Sequence, residues 1–140
     1  MNTQTTIKEK VQALITATNG QIKYFVFDDL SAINGDSNAA FPLLLLKPTQ
    51  MESKDRTLEN FTGDIELFLF DQELSDSEEH WTTKWDELET ILVPLLRSWF
   101  QDTPTYVLES QVKLNCGHFQ HNAKLIGVRA TFKMRLFYGC

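Results

Sequence analysis

The sequence is poor in the residues that mark specialised chain types. Only two of its 140 residues are cysteine and only ten are glycine or proline, so neither a disulfide framework nor a low-complexity chain is predicted. The longest apolar run, residues 39–46, is much shorter than the roughly 18 residues that indicate a membrane span. The first residues lack the basic and apolar pattern of a secretory leader. We therefore expect a soluble protein with reduced thiols in a reducing cytoplasm.

Catalytic and nucleotide-binding motifs are also missing. The sequence contains no P-loop, no G-x-G-x-x-G, no G-x-S-x-G and no H-E-x-x-H. We therefore expect no catalytic residue, no metal and no cofactor. Hydrophobic residues make up 42% of the chain and charged residues 23%, which is typical of a globular protein. At this length we assign residues 1–140 to a single domain.

The net charge of −6 is unevenly distributed along the chain. Residues 1–100 carry 8 Lys and Arg against 17 Asp and Glu, a balance of −9, whereas residues 101–140 carry 5 against 2, a balance of +3. Proteins that bind nucleic acid by neutralising phosphates usually have a basic excess. The overall charge therefore disfavours sequence-specific nucleic-acid binding, while the opposite signs of the two parts suggest complementary surfaces.

Periodicity predicts two helices and five strands in the order α-β-β-β-α-β-β. The helices are predicted at 6–18 and over about 25 residues from 75, and the strands at 21–28, 41–47, 63–71, 106–115 and 124–137. Thr6 with Glu9, and Ser75 with Glu78, fit capping boxes. Pro94 predicts a kink or a break in the second helix. Residues 29–38 and 49–62 are predicted loops, and 116–122 a turn.

This order predicts an α+β fold with a mainly antiparallel sheet and helices packed on one face. Alternating positions of the strands and the 3–4 spacing of the second helix predict the core. The predicted core residues are Ile65, Leu67, Trp85, Leu88, Leu92, Leu95, Trp99, Val128 and Phe132.

Two groups of side chains are candidates for local chemistry. Cys116, His118 and His121 have the side chains of a zinc site, but the alternative is a solvated turn with incidental histidines, and no motif supplies a fourth ligand. Trp81, Trp85 and Trp99 follow helical spacing, which favours a core role, although Trp81 at the helix start could anchor an interface.

Charged residues form the candidate assembly surface. The acids between 64 and 89 could include a catalytic carboxylate pair, but a solvated or partner-facing surface is the better interpretation. On the last strand, alternate positions place basic side chains on one face, where they could meet a neighbouring copy, line a passage for nucleic acid or simply be solvated. The predicted oligomer-interface residues are Asp64, Glu66, Asp71, Glu73, Glu78, Arg129, Lys133 and Arg135.

The layout as a whole resembles a known family. A short helix precedes a Phe41-Pro42-Leu43-Leu44-Leu45 strand, a strand at 64–70 and an amphipathic helix at 77–102, and the last strand begins Leu125-Ile126-Gly127-Val128. Over residues 5–137, this order resembles the tail-terminator, or tail-completion, proteins of tailed bacteriophages and prophages. It is also similar to head–tail joining and minor tail proteins.

The resemblance implies a non-catalytic structural protein of the virion, assembled in the bacterial host cytoplasm. Such proteins form homo-oligomeric rings, commonly hexamers, that contact tail-tube and neck or connector proteins. DNA passes through the ring without sequence-specific binding, and no membrane is involved. Two other classes remain open from the residues alone, namely a cellular α+β protein-binding module and a small metal-binding enzyme.

Overall fold

A computed structural model describes residues 2–33, 38–120 and 124–138. Within these residues the chain forms two α-helices, a short 3-10 helix at Leu30–Ile33 in the first predicted loop, and seven strands. In chain order the elements are α1 (Thr3–Thr16), β1 (Tyr24–Phe27), β2 (Leu43–Leu46), β3 (Met51–Glu52), β4 (Asn60–Gln72), α2 (Glu78–Phe100), β5 (Tyr106–Leu108), β6 (Lys113–Gln120) and β7 (Lys124–Phe137). Neither described helix is long and apolar enough to cross a membrane.

The strands form one mixed sheet, which confirms the predicted α+β class. The main strand order is β1-β2-β4-β7-β5, with β3 paired to one end of β4 and β6 paired to β7. β1 and β2 are parallel, and all other described pairs are antiparallel. The long strands β4 and β7 lie side by side at the centre of the sheet, so their side chains dominate both of its faces.

Both helices pack on one face of the sheet, here called the helix face. Ile7, Val11 and Leu14 of α1 join one buried cluster with the apolar side of α2 and alternate residues of the strands. Eight of the nine predicted core residues are buried, while Trp85 is only half-buried and packs at the margin of this cluster. The opposite face, here called the open face, has a smaller apolar cluster around Phe68 and Phe70.

The helix starts differ from the predicted capping boxes. Asn2, in extended conformation, accepts a hydrogen bond from the backbone N–H of Thr5 (2.7 Å), so α1 begins at residue 3 instead of 6. Ser77 accepts from the backbone N–H of His80 (3.2 Å), so Ser77 is the N-cap of α2 in place of Ser75. α2 continues through Pro94 without a break.

The segment between α2 and β7 also differs from the prediction. Residues 106–115 do not form one strand, because the Ser110 hydroxyl accepts the N–H of Lys133 (2.7 Å) in place of a backbone carbonyl. The predicted turn at 116–122 is wrong over its described part, since residues 113–120 form β6 and pair with the first half of β7. Among the described strands, only β7 begins and ends at the predicted residues, 124 and 137.

The second predicted loop, 49–62, is also partly strand. β3 pairs with the start of β4, which begins at residue 60 instead of 63. Between them, Asp55 accepts hydrogen bonds from the Thr57 N–H (3.0 Å) and hydroxyl (2.8 Å). These bonds lower the pKa of the Asp55 carboxyl, because they stabilise its charged form. The first predicted loop, 29–38, includes residues outside the described ranges.

Candidate assembly surface

The structure divides the predicted interface residues between two parts of the molecule. Asp64 and Glu66 of β4 lie on the open face together with Arg129, Lys133 and Arg135 of β7. The other three acids lie elsewhere, with Asp71 and Glu73 after the apolar part of β4 and Glu78 in the first turn of α2. The acids therefore do not form the single patch that the sequence suggested.

The register of β4 against β7 places acids and bases beside one another. Asp64 is opposite Lys133, and Glu66 is opposite Thr131. Because residues two apart along a strand share a face, the acidic positions of β4 and the basic positions of β7 face the same solvent. The open face is therefore a surface of alternating charge next to its apolar cluster, and both α-helices lie on the opposite face.

Several of these charges are paired within the chain. The Nε of Arg129 lies 2.7 Å from the Oε1 of Glu66, and the Nζ of Lys47 lies 3.6 Å from the other oxygen of Glu66. The Nε of Arg135 lies 3.3 Å from the Oε1 of Glu109. All of these side chains are partly solvated, so each pair contributes roughly 0–1 kcal/mol to stability.

Asp64 and Lys133 differ from these pairs. Both are exposed, and neither has an oppositely charged group within 4.0 Å among the described residues. A partner that approaches the open face meets these two charges without first having to break an internal ion pair.

Two adjoining grooves of about 610 and 650 Å³ cross the open face. Their charged lining residues are Glu52, Asp64, Glu66 and Glu109 on the acidic side and Lys54, Lys113, Arg129, Lys133 and Arg135 on the basic side. Four acids against five bases is close to balance, whereas binding to a phosphate backbone depends on a cationic excess. The grooves are therefore better suited to a protein surface of mixed charge than to DNA.

The remaining predicted acids interact mostly with α2. Asp71 lies 3.1 Å from the Nζ of Lys84, which also lies 3.3 Å from Glu87. Burial opposes the charge of Lys84, but its hydrogen bonds and attraction to the two carboxylates raise its pKa. Glu73 accepts from the indole N–H of Trp81 (2.7 Å), whereas Glu78 is exposed and has no ion pair among the described residues. Asp71 and Glu73 therefore hold α2 against the sheet.

Two of the three candidate zinc ligands lie on β6 instead of in a turn. Cys116 and His118 are alternate residues of β6 on the helix face, where Cys116 lies 3.4 Å from Glu89. Partial desolvation, together with this carboxylate, raises the pKa of the thiol to about 11. His121 lies outside the described residues. Within 2–33, 38–120 and 124–138, no three His, Cys, Asp or Glu side chains form a group able to hold a metal ion.

The tryptophans have different environments. Trp99 is fully buried, whereas Trp81 and Trp85 are half-buried against the ring of His118, with centroid distances of 4.6 and 5.5 Å. The Nδ1 of His118 also lies 3.3 Å from Glu73. This arrangement links β6 to the first two turns of α2.

Sequence analysis did not include in the candidate surface the charged residues that complete the open face, notably Lys47, Lys54, Lys113 and Glu109. Lys47 and Lys54 lie in connecting segments, whereas Glu109 and Lys113 share one side of the predicted strand 106–115, and only the pairing of that segment with β7 brings them to this face. The alternation of β4 and β7 was visible in the sequence, but only their pairing shows that the two charged sets share one face.

Comparison with known proteins supplies no relative for this chain. No family model matches the sequence, and a search of curated proteins returns no match. Proposals about function therefore depend on the residues and their arrangement.

Proposed function

We propose that this protein is a ring-forming structural subunit of a tailed phage or prophage, acting at the tail or neck as a tail-terminator, tail-completion or head–tail joining protein. It acts by assembly and not by catalysis. The observation that carries the proposal is the open face of the β4–β7 sheet, which has alternating charge and adjoining grooves and lies opposite the face that both α-helices cover. The predicted order of elements, which resembles that of this family, supports this class of protein.

A ring requires a heterologous contact, in which one surface of each copy meets a different surface of the next. The open face fits one side of such a contact, because Asp64 and Lys133 offer exposed charges of both signs. Glu78, in the exposed first turn of α2, fits the other side. Charges arranged in this way select the partner and its register more than they add affinity.

The near-balance of charge supports a role of the open face in protein contact instead of in the DNA passage. In the proposed ring, Arg129 and Arg135 are already neighbours of Glu66 and Glu109. They therefore stabilise the surface that meets the next copy, and DNA passes through the ring without being bound by these arginines.

Negative-stain electron microscopy of the purified protein, alone and mixed with a tail-tube protein, tests the assembly. We expect closed rings, alone or on the tube, and expect the ring population to fall as salt screens the charges. Particles without rings under both conditions would contradict the proposal. Genes for portal, tape-measure or tail-tube proteins beside this one would support its place in the virion.

A matched pair of variants tests the role of the open face. Lys133→Glu reverses an exposed charge at the centre of this face, whereas Lys23→Glu makes the same change just before β1. We expect Lys133→Glu to abolish rings and Lys23→Glu to keep them, with both variants folded and only Lys133→Glu slightly less stable, because the new carboxylate lies opposite Asp64. Equal loss of rings in both would show that net charge, and not the open face, controls assembly.

A further inference from the structure

β6 provides the longest open edge among the described strands. It pairs one-to-one with β7 over eight residues, and no described strand lies on its other side. The other strands at the borders of the sheet have four, two and three residues, in β1, β3 and β5 respectively. Short border strands are one of the ways in which proteins prevent unwanted pairing between sheets, and β6 does not have this protection.

The hydrogen-bond pattern shows which backbone groups of β6 point away from the sheet. The N–H of Glu109 donates to Lys133 O and the N–H of Phe137 donates to Thr105 O, both at 2.8 Å. Odd-numbered residues of β7 therefore direct their backbone N–H and C=O groups toward β5 and β6. The odd-numbered residues of β6 lie opposite them and direct their own backbone groups back toward β7. The backbone N–H and C=O groups of Leu114, Cys116 and His118 consequently point outward, beyond the last described strand.

The composition of β6 leaves this edge unprotected. The strand has no proline, its register with β7 is continuous, and its only Lys, Arg, Asp or Glu is Lys113 at the first position. Cys116 and His118 are exposed. In proteins that remain monomeric, the edge strands usually carry a bulge, a proline or a central lysine. This edge therefore has the features of a strand that accepts another strand.

We propose that β6 pairs antiparallel with β6 of a second copy of this chain, about a two-fold axis at Cys116. This register places Leu114 opposite the partner's His118 and Lys113 opposite the partner's Phe119. The two Lys113 side chains are then about 20 Å apart along the strands, so no like charges face each other within the pair. β6 is thus self-complementary, as a two-fold contact requires.

The helix above the sheet leaves room for this pairing. α2 packs mainly on β7 and β4, so its axis is set back from the β6 edge. Trp85, which is half-buried and lies 3.4 Å from the Gly117 carbonyl through its indole nitrogen, is available for further burial by the second copy. The Glu89 carboxylates of the two copies approach each other across the axis, because within one chain Glu89 Oε1 lies 3.4 Å from the Cys116 sulfur.

The salt dependence of this contact is opposite to that of the proposed ring. Repulsion between the acids of the two copies weakens the β6 pair at low salt, so added salt strengthens the dimer. The ring, which depends on attraction between opposite charges, weakens with salt. The dimer does not depend on the proposed function, and its failure can be distinguished from failure of the ring.

Sedimentation analysis of proline variants tests the proposal. Cys116→Pro removes an outward N–H and places a ring in the path of the second strand, and proline is tolerated at such edge positions. We expect wild type and Cys116→Ser to dimerise, more strongly at high salt, and Cys116→Pro to remain monomeric while still folded. Asn115→Pro removes an inward N–H and should instead lower the unfolding temperature. A monomeric wild type, or a dimeric Cys116→Pro, would overturn the proposal.

Cross-linking provides a second readout that needs no proline variant. In a Cys140→Ser background, the two Cys116 residues lie opposite each other, with Cα atoms about 5.5 Å apart in this kind of pair. A short bismaleimide should therefore link them into a covalent dimer, slowly, because the Cys116 thiol is mostly protonated at neutral pH. Ser98→Cys at an exposed position of α2, in a Cys116→Ser and Cys140→Ser background, should not link. A covalent dimer through residue 98 and none through Cys116 would reject the β6 axis.

Discussion

Replacement of Gly127 by alanine is expected to destabilise the protein through overpacking on the open face. An added Cβ would lie 2.6 Å from the Cδ1 of Phe70 and 2.8 Å from the Leu69 carbonyl oxygen, where ordinary contact begins at 3.4 Å. Phe70 cannot easily move away, because it is fully buried and packs on the rings of Phe68 and Phe119. Such overpacking costs about 1–3 kcal/mol, against a gain of roughly 0.5–1 kcal/mol for removing a strand glycine. We expect a net loss of about 1–2 kcal/mol.

Gly117 provides a matched control, because it lies directly opposite Gly127 on β6. A Cβ at this position would meet only ring carbons of Phe119, at 3.6 Å. Gly117→Ala should therefore leave the stability unchanged or raise it by up to about 1 kcal/mol. Urea unfolding followed by tryptophan fluorescence, at a concentration where the protein is monomeric, measures both variants. Equal shifts, or a more stable Gly127→Ala, would refute the packing argument.

Three further predictions concern the helix cap, the thiol and a loop. Ser77→Ala should lower the free energy of unfolding by about 1 kcal/mol and Ser75→Ala by almost nothing, and equal losses in thermal unfolding would contradict Ser77 as the N-cap. Alkylation of Cys116 in a Cys140→Ser background should rise with a midpoint near pH 11, since its pKa is raised to about 11 and the thiol stays protonated at neutral pH. Mass spectrometry measures the extent of alkylation at each pH, and a midpoint at the ordinary thiol pKa would refute this. Leu58→Gly should stabilise the fold by up to about 1 kcal/mol, because Leu58 has a φ of 55°, and a lower urea midpoint would contradict this reasoning.

Local patterns in the sequence were sufficient to predict an element when that element buries one of its faces and exposes the other. β7 was predicted at 124–137 with both ends correct, because its apolar and polar residues alternate without interruption. α2 was predicted because its large apolar residues recur every three or four positions. Together these two elements were enough to indicate the α+β class.

Local patterns failed where a group other than the expected one supplies the hydrogen-bond partner. Asn2 caps α1 although Thr6 and Glu9 fit the motif, because its extended backbone directs the amide oxygen to the Thr5 N–H. Residues 113–120 lack a clean alternation, yet they form a strand because the first half of β7 requires a neighbour. A single sequence does not contain the position of that neighbour.

The charge of −6, acidic early and basic late, was determined by the sequence alone, and so were the alternating positions of the charges on β4 and β7. Their pairing was decided only by the tertiary structure. The antiparallel register brings Glu66 to Arg129 and leaves Asp64 and Lys133 exposed. The physical reason is that alternation fixes the face on which a side chain lies, whereas hydrogen bonds between distant strands fix which charge lies beside it.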